Sequence, residues 1–341
     1  MKNNRILLSH GSGGEKMHLL IQDVFIKYFS NPLLNKLDDS AIFLHKNFNF
    51  AFTTDSYVVH PLFFPGGDIG KLSVCGTIND LCMCGAKPLY LSASFIIEEG
   101  IEISILEKVV RSMSKTAQEA GIKIITGDTK VIEYQGRNNL FITTTGVGIV
   151  DSKLNISGSN AQISDRVILS GSVGDHEVAV LTVREDFGLN TKISSDTAPL
   201  NSLVEDILSA TSFGESGNEI HTLRDPTRGG IATALNEITS KSEVGILIYE
   251  DRIPIKEGVR AVCELLGLNP LYAANEGKLI CVASKDASES IVAKMKKNRY
   301  GRDAAIIGEV IASPNGVWIS TLTGGKRPLL MLEGEQLPRI C

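Results

Sequence analysis

The sequence has few aromatic residues and no segment long enough to cross a membrane. Of its 341 residues, 43% are hydrophobic but only 6% are aromatic, and a single tryptophan is present. No apolar run reaches the roughly 18 to 20 residues that span a bilayer, and "GSGGEK" follows "MKNNRILLSH" before any signal-type apolar region develops. These absences argue against a membrane protein and predict a globular protein of the cytoplasm.

An excess of basic charge is also missing. Lysine and arginine total 34 against 39 aspartates and glutamates, giving a formal net charge of −5. A nucleic-acid surface needs clustered lysine and arginine to displace counterions from phosphates. We therefore expect no nucleic-acid partner, and small molecules and proteins are the favoured ligands.

Six cysteines in a long chain expected in the cytosol do not suggest a disulfide framework. Cys82 and Cys84, with Cys75 nearby, invite a zinc interpretation, but no matching pair of ligands follows at zinc-finger spacing. We interpret these three as buried apolar side chains, because free cysteine is among the most buried residue types. Cys263 and Cys281 lie in helix-like and strand-like apolar patterns, so we expect them in the core.

Hydrophobic periodicity predicts a mixed α/β chain of two domains. Helices are predicted at 69–84, 103–120, 175–186, 200–213, 229–241, 256–267 and 286–297. Strands are predicted at 48–54, 89–97, 122–126, 140–150 and 166–169, with further strands in "GILIYE", "KLICVAS", "AAIIGEV" and "GVWIST". A polar Ser/Asn/Gly segment near the middle places the boundary between domains 1–152 and 153–330, followed by a tail, 331–341.

The stretch "HGSGGE" is a candidate phosphate-binding loop. Gly11, Gly13 and Gly14 surround the hydroxyl of Ser12, and such a loop can wrap its N–H groups around an anion. It lacks the spacing of a P-loop and of a dinucleotide-binding turn. A flexible surface loop is an equally good interpretation from these residues alone.

Aspartates stand beside apolar segments in "LDDSAIF", "FTTDSYV", "TINDLC" and "ITGDTKV". An isolated carboxylate is costly to bury unless it is paired or bound to a cation. Oxygen ligands of this kind suit Mg²⁺, which bridges to nucleotide phosphates. Any one of them alone is better interpreted as a cap or turn residue. The predicted metal ligands are Asp38, Asp55, Asp80 and Asp128, and Asp39 is added as a nucleotide-site residue.

Three further stretches carry charged residues at the ends of predicted elements. Lys130 could neutralise phosphate oxygens, although a solvated lysine at a strand end is the simpler alternative. "RDPTRGG" places Asp225 and Arg228 directly before a helix, whose N-terminus favours an anion. In "AANEGKLI", Glu276 is a candidate general base, with a surface turn as the alternative.

These motifs, in this order, resemble the HypE family of hydrogenase maturation proteins. The resemblance covers nearly the whole chain and rests on "HGSGGE", "DDSA", "TTDSYVV", "CGTINDLCMCGAKP", "GDTKV", "DPTRGG", "NEG" and the terminal "PRIC". HypE is similar to a wider superfamily that includes aminoimidazole ribonucleotide synthetase, selenophosphate synthetase and thiamine-monophosphate kinase. "LCMCGAKP" departs from the pattern, because small or aliphatic residues are expected where the two thiols stand.

The resemblance implies a function for the terminal thiol, Cys341, which would otherwise be an ordinary frayed chain end. In the HypE family that cysteine receives a carbamoyl group from the carbamoyltransferase HypF. ATP is then used to dehydrate the thiocarboxamide to a thiocyanate, the source of cyanide for the iron of [NiFe]-hydrogenase. The implied roles are substrate carrier for Cys341, base for Glu276 and phosphate-neutralising cation for Lys130, with Mg²⁺ on the aspartates.

The resemblance also implies a two-domain PurM-like fold, a homodimer formed through the N-terminal sheets, and delivery of cyanide to a HypC–HypD complex. Two other functions stay open. A selenophosphate synthetase-like enzyme is disfavoured by "LLSH", which stands where a reactive cysteine is expected. A non-enzymatic cyanide carrier would not need the aspartates or Lys130. Prenylation normally requires the cysteine four residues from the end.

Overall fold

The chain folds around two large β-sheets with helices packed against them, and a third sheet consists of two short strands, 63–64 and 67–68. The computed structural model describes residues 5–134, 136, 139–183, 191–211, 219–332 and 334. The strands are β1 (Ala41–His45), β2 (Phe48–Tyr57), β3 (Phe63–Phe64), β4 (Gly67–Asp68), β5 (Lys87–Glu98), β6 (Lys123–Ile132), β7 (Leu140–Val150), β8 (Arg166–Leu169), β9 (Ile220–Arg224), β10 (Gly245–Tyr249), β11 (Ile280–Ala283), β12 (Ala305–Ile311), β13 (Gly316–Ser320) and β14 (Lys326–Pro328).

The helices alternate with these strands along the chain. They are α1 (Glu15–Leu20), which continues through a π-helical segment (Ile21–Ile26) into α2 (Lys27–Phe29), then α3 (Ile69–Met83), α4 (Ile103–Glu119), α5 (Asp175–Leu181), α6 (Asn201–Leu208), α7 (Gly230–Ser242), α8 (Glu257–Leu266) and α9 (Lys285–Met295). None of the helices in the described part of the chain is long and apolar enough to cross a membrane.

The first sheet has five strands in the order β1-β2-β7-β5-β6, and only the β5–β6 pair is parallel. Helix α3 packs across β2 and β7 and also contacts α4. Nearly every residue of α3 is buried, and its N-terminus is capped by Asp68, whose carboxylate accepts hydrogen bonds from the N–H groups of Gly70 and Lys71. Helix α3 is therefore the central element of this half of the molecule.

The second sheet has seven strands in the order β14-β13-β10-β12-β8-β11-β9. Successive side chains of a strand point to opposite faces of the sheet, so a strand such as β8 contributes side chains to two hydrophobic cores. Val167 and Leu169 of β8 belong to the core beneath α7, whereas Ile168 belongs to a core shared with α6 and α9. That shared core also contains Ile69 and Ile78 of α3, so one apolar cluster joins the two sheets.

Five predicted helices are confirmed, with ends within two residues of α3, α4, α7, α8 and α9. The predicted helices at 175–186 and 200–213 are too long, because α5 ends at Leu181 and α6 at Leu208. The predicted ends themselves, 186 and 213, lie outside the described residues.

The strand predicted at 122–126 is too short. Strand β6 pairs with β5 from Lys123 to Ile132, and this continuous backbone pairing keeps the polar "GDTK" stretch extended. Asp128 and Lys130 therefore lie within a strand and not in the loop that the sequence indicated. Strand β2 likewise runs to Tyr57, which places Asp55 inside it.

Truncating the shared core is expected to destabilise the fold. Ile78→Ala removes a side chain that is fully buried between α3 and its neighbours, and should cost about 2–5 kcal/mol of unfolding free energy. Ile103→Ala is the control, because that side chain is 76% exposed at the start of α4 and its loss should cost less than about 0.5 kcal/mol. Urea denaturation measures both, and equal losses would contradict the assigned position of α3 in the core.

Candidate functional site

A cleft between the two sheets collects most of the charged residues singled out in the sequence. Its walls come from the glycine-rich loop, β2, α3, the segment after β9, the start of α7 and the segment before β11. The predicted site residues that line it are Gly13, Asp39, Asp55, Asp80, Asp225, Arg228 and Glu276. The fold therefore brings residues from separate sequence motifs together in one cleft.

Strand β2 and helix α3 position the first pair of carboxylates. Thr53, Asp55 and Tyr57 alternate along β2 and so share a face. The Tyr57 hydroxyl donates to Asp55 Oδ2 at 3.0 Å, and Thr53 Oγ1 donates to Asp80 Oδ2 at 2.9 Å. A Cβ at Gly76 would lie 2.3 Å from the Tyr57 hydroxyl oxygen, so glycine is needed for α3 to approach β2 this closely.

The second half of the molecule contributes Asp225, which immediately follows β9. Asn275, from the segment before β11, holds this turn through its Nδ2 and backbone N–H, which both donate to the Pro226 carbonyl at 3.1 and 3.2 Å. Helix α7 begins five residues after Asp225, at Gly230, and its N-terminus faces the same cleft. The side-chain hydroxyl of Thr233 in the first turn of α7 is buried without a partner among the described residues.

The Glu276 backbone is fixed by Asp196. The N–H of Glu276 donates to Asp196 Oδ1 at 3.1 Å, and Lys278 Nζ pairs with Asp196 Oδ2 at 3.0 Å. A Cβ at Gly277 would lie 1.9 Å from the Asp196 carbonyl oxygen, so only glycine fits there. Asn79 of α3 also holds this segment, because its amide donates to the Ala198 carbonyl at 3.1 Å.

The pKa values of the carboxylates in the cleft are raised by burial and by mutual repulsion. Burial is the main cause for Asp80, Asp225 and Glu276, whose pKa values all lie well above the ordinary range, and repulsion between the acidic groups adds to it. The pKa of Asp39 rises to about 6 through burial, although neighbouring Arg224 opposes the shift. So much buried negative potential favours a bound cation.

Arg224 is the main counter-charge, and the sequence analysis missed it. Its guanidinium contacts Asp39 Oδ1 at 3.4 Å and also pairs with Glu237 of α7. His18 of α1 lies 3.1 Å from the other carboxylate oxygen of Glu237. Burial works against ionisation of both groups, yet attraction to Asp39 and Glu237 raises the pKa of Arg224, and attraction to Arg224 lowers the pKa of Glu237. The position of Arg224 directly before Asp225 was the available signal.

The glycine-rich loop lies against the segment around Arg228. Gly13 has a φ of +79°, and a Cβ there would lie 2.6 Å from the Arg228 carbonyl oxygen. The Arg228 guanidinium donates to the Gly11 carbonyl at 3.1 Å. Ser12 donates to the Ser9 carbonyl at 2.9 Å, and Gly14 lies so close to the Leu332 carbonyl that a side chain would not fit.

Three predicted charged residues, Asp38, Asp128 and Lys130, do not line this cleft. Asp38 accepts hydrogen bonds from Ser157 at 2.7 Å and from Lys241 at 3.2 Å, so this carboxylate is already paired. Asp128 and Lys130 are exposed on β6, the edge strand of the first sheet. Cys341 lies outside the described residues.

No ready-made metal set exists in the described residues, because no three His, Cys, Asp or Glu side chains are arranged to hold an ion by themselves. The convergent carboxylates do fit Mg²⁺, which is usually held by one or two carboxylates together with waters and substrate phosphates. Asp55 and Asp80 are the predicted ligands that face the cleft. The geometry suits a metal that arrives with a nucleotide.

The interpretation of the internal cysteines as core residues is confirmed. Cys75, Cys82, Cys84, Cys263 and Cys281 are all buried. Burial raises the pKa of Cys84 to about 12 and that of Cys263 to about 11. These thiols are therefore protonated and poorly nucleophilic at neutral pH.

Comparison with known proteins gives the class of protein first. Residues 37–150 match the family model of the N-terminal domain of AIR synthase related proteins, and residues 162–319 match that of the C-terminal domain. The two-domain PurM-like fold expected from the sequence is thereby confirmed. Each match covers most of one of the two sheets.

Individual relatives identify the family within this class of proteins. The chain is 48% identical over 342 residues to a carbamoyl dehydratase HypE of Bradyrhizobium diazoefficiens, across all of this chain and 97% of that protein. It is 47% identical to a chain in the crystal structure of a HypE–HypF complex. The TM-score is 0.85, and the match covers 92% of this chain and 99% of the other. A HypE crystal structure in complex with ATP is 46% identical, with a TM-score of 0.80 over 99% and 100% of the two chains.

The chain therefore belongs to the HypE family of carbamoyl dehydratases. The resemblance seen in the sequence motifs is confirmed over the full length. This membership makes the protein an enzyme of hydrogenase maturation.

Removing Arg224 is expected to destabilise the protein in a pH-dependent way. Arg224→Met leaves the buried carboxylates of Asp39 and Glu237 without their cation and should cost about 3–5 kcal/mol at pH 7. Because the folded-state pKa of Glu237 is lowered, this contribution is present above its ordinary pKa and is lost as pH falls through the lowered value.

Denaturant unfolding at pH 7 and pH 4 measures this difference. Arg299→Met is the control, because Arg299 pairs with Glu119 at an exposed position and should contribute less than about 1 kcal/mol. A deficit in Arg224→Met that stays constant between the two pH values would contradict the electrostatic explanation.

Proposed function

We propose that this chain uses ATP to dehydrate a carbamoyl group on the thiol of Cys341 to a thiocyanate. The observation that carries the proposal is the convergence of Asp55, Asp80, Asp225 and Glu276 in one buried cleft beside the glycine-rich loop. The names of the relatives support it, since they are carbamoyl dehydratases and one HypE structure contains ATP.

The described residues of the tail lie beside the glycine-rich loop and the start of α1. The N–H of Glu15 donates to the Leu332 carbonyl at 2.9 Å, and the Ser12 hydroxyl lies 3.5 Å from the Gly334 carbonyl. Cys341 is seven positions beyond Gly334, and an extended chain of that length spans at most about 25 Å. We propose that the tail brings the thiol to the carboxylates of the cleft.

In the proposed site, Asp55 and Asp80 would hold Mg²⁺, and the glycine-rich loop (Gly11, Ser12, Gly13 and Gly14) would contact the phosphates of ATP. Mg²⁺ would supply charge neutralisation on the phosphates, the main requirement of phosphoryl transfer. Asp39, Asp225 and Arg228 complete the nucleotide site. We assign no ligand role to Asp38 within a single chain, because Lys241 and Ser157 occupy its carboxylate.

The chain's own residues then serve the chemistry of the amide. Its oxygen is a poor leaving group, so transfer of the γ-phosphoryl group to that oxygen gives an imidate-like phosphate that can depart. Glu276 takes a proton from the nitrogen as the C–O bond breaks and S–C≡N forms. Burial raises the pKa of Glu276, which makes its carboxylate a stronger base than an exposed one.

The roles proposed for Asp128 and Lys130 require a homodimer. The two residues share one face of β6, the edge strand of the first sheet, and the same strand also carries the exposed apolar side chains of Ile125 and Val131. An exposed, partly apolar edge is a surface that proteins normally cover. We propose that a second copy covers it, so that these two residues serve the cleft of the partner subunit.

The remaining assignments follow from the family. We propose that a HypF-type carbamoyltransferase loads Cys341, which the crystal structure of a HypE–HypF complex supports, and that a HypC–HypD complex receives the cyanide. The proposed division is 1–152 for nucleotide binding and dimerisation, 153–330 for the second domain, and 331–341 for the tail. The cytoplasm is the proposed location.

Neither alternative function is favoured by a specific observation. A non-enzymatic carrier would not require Asp80, Asp225 and Glu276 to be buried against one another at the electrostatic cost that their raised pKa values express. A selenophosphate synthetase-like enzyme would require a reactive residue before the glycine-rich loop, where Ser9 and His10 stand.

Intact-mass and peptide mapping test the carrier. Incubation with a carbamoylating partner should add one carbamoyl group to the C-terminal peptide, and ATP should then remove one water from the same peptide. Cys341→Ser should fail in both steps, because an alkoxide is far less available than a thiolate at neutral pH. Cys82→Ala is the matched control and should behave as wild type. Modification of an internal cysteine, or thiocyanate on Cys341→Ser, would overturn the carrier role.

Calorimetric titration with MgATP tests the metal and phosphate site. Asp80→Asn should weaken Mg²⁺-dependent binding at least tenfold, whereas Lys130→Ala should spare binding and slow turnover. Wild-type affinity should fall as pH is lowered through about 6, because protons compete for carboxylates whose pKa values are raised, Asp39 among them. Asp151→Asn, at an exposed position, is the control. Wild-type affinity in Asp80→Asn would remove this residue from the site.

A further inference from the structure

His176 is a buried imidazole on the wall of the cleft with no role in the mechanism above. It is the second residue of α5, is only 2% exposed, and lines the cleft together with Ala274 and Glu276. The edge of its ring packs against Phe64 with the ring centroids 5.3 Å apart. A buried, polar, ionisable ring at this position calls for a chemical explanation.

The ring is held through one nitrogen only. Nδ1 lies 2.8 Å from Ser195 Oγ, which in turn lies 2.6 Å from Thr197 Oγ1 and accepts a hydrogen bond from the Thr197 N–H at 3.1 Å. The Ser195 N–H donates to the Pro65 carbonyl at 2.7 Å, which anchors the segment. Among the described residues, Nε2 has no hydrogen-bond partner, so this nitrogen is available to a ligand in the cleft.

The same short segment, 195–197, also positions Glu276. Asp196 stands between the two residues that hold His176, and its Oδ1 accepts the hydrogen bond from the Glu276 N–H. The Lys278 ammonium lowers the pKa of Asp196 against the opposing effect of burial, so Asp196 stays ionised and keeps this contact. One three-residue segment thus fixes an imidazole and a carboxylate on the same wall.

The proposed dehydration removes two protons from one nitrogen, because an –NH₂ group becomes a nitrile. Glu276 accounts for one of them. We propose that His176 is a second catalytic residue, whose Nε2 takes the first proton from the amide nitrogen of the carbamoylated Cys341. This inference rests on the proposed function and adds to it the acceptor of that proton.

As the amide oxygen attacks the γ-phosphorus of ATP and the bond to the β-phosphate oxygen breaks, Nε2 takes one N–H proton. This single step gives ADP and the neutral imidoyl phosphate. Glu276 takes the second proton as the C–O bond breaks and the N–H electron pair completes C≡N. The imidazolium returns its proton to the departing phosphate, which leaves as HPO₄²⁻, and Glu276 releases the other proton to solvent.

The environment of His176 suits the first proton better than the second. Burial lowers the pKa of His176 to about 4, although Asp196 opposes the shift, so the imidazole is neutral near pH 7. A weak base is sufficient for the first proton, because phosphorylation of the oxygen makes the amide N–H strongly acidic. The imidoyl N–H is a much weaker acid and needs the stronger base, Glu276.

Single-turnover assays on carbamoylated protein test the inference by following ADP and thiocyanate separately. His176→Asn keeps an amide group near the Nδ1 position but has no atom at Nε2. Its rates of ADP and thiocyanate formation should fall together by about 100-fold or more. Glu276→Gln should instead form ADP and fail to form thiocyanate. His221→Asn is the control, because that imidazole binds Asp165 at 2.7 Å outside the cleft and should leave both rates unchanged.

Chemical rescue separates catalysis from structure. In His176→Ala, added imidazole should restore thiocyanate formation in a concentration-dependent way without changing the melting temperature. Ser195→Ala keeps the ring but frees it, and should lose less than His176→Asn. Wild-type rates in His176→Asn, or loss of activity without rescue, would overturn the role of His176. Failure of the wild-type protein itself to form thiocyanate would overturn the proposed function instead.

Discussion

The structure depends on placing several carboxylates close together in a cleft that is largely shielded from water. Asp39, Asp80, Asp225 and Glu276 come from four separate segments, and Arg224 is the main cation among them. Burial and mutual repulsion would oppose this arrangement unless the surrounding chain held it in place. A cation-bearing ligand would relieve the repulsion, which is why we propose that the cleft binds ATP together with Mg²⁺.

The surrounding chain holds the cleft with hydrogen bonds that connect the two halves of the molecule. Asn79 of α3 binds the backbone on both sides of Pro199, since its Oδ1 accepts from the Leu200 N–H and its amide donates to the Ala198 carbonyl. Asn275 binds the turn after Asp225, and Asp196 binds the Glu276 segment. Each of these polar groups is buried and satisfied, which gives the site a single geometry. The shared apolar core beneath α3 supports the same arrangement.

The HypE family membership gives these contacts a common purpose. Phosphoryl transfer is catalysed mainly by positioning and by neutralising charge, which a rigid cleft of fixed charges can do. In the proposed mechanism, the dehydration that follows uses two bases of different strength near one nitrogen. The segment at 195–197 holds both of them, because it binds the His176 ring and the Glu276 backbone.

Sequence patterns predicted the helices best where the periodicity was strong. Helix α4 was predicted within one residue because Val109, Met113 and Ala117 recur at helical spacing, and all three are buried. Strand β6 was predicted too short, because "GDTK" has no strand-like alternation and is extended only by its pairing with β5. Arg224 and Asp196 were not found, because neither stands in a pattern that distinguishes a buried ion pair from a surface charge.

By itself, the sequence determined the family, the two-domain α/β class, and the motifs that contain Asp55, Asp80, Asp225 and Glu276. These are local properties, set by residue type and spacing along the chain. Only the tertiary structure decided which carboxylates meet, since Asp38 is paired with Lys241 while its neighbour Asp39 faces the cleft. It also decided that His176 shares a wall with Glu276, although 100 positions separate them in sequence. Such proximity depends on how the two sheets pack, which no local pattern records.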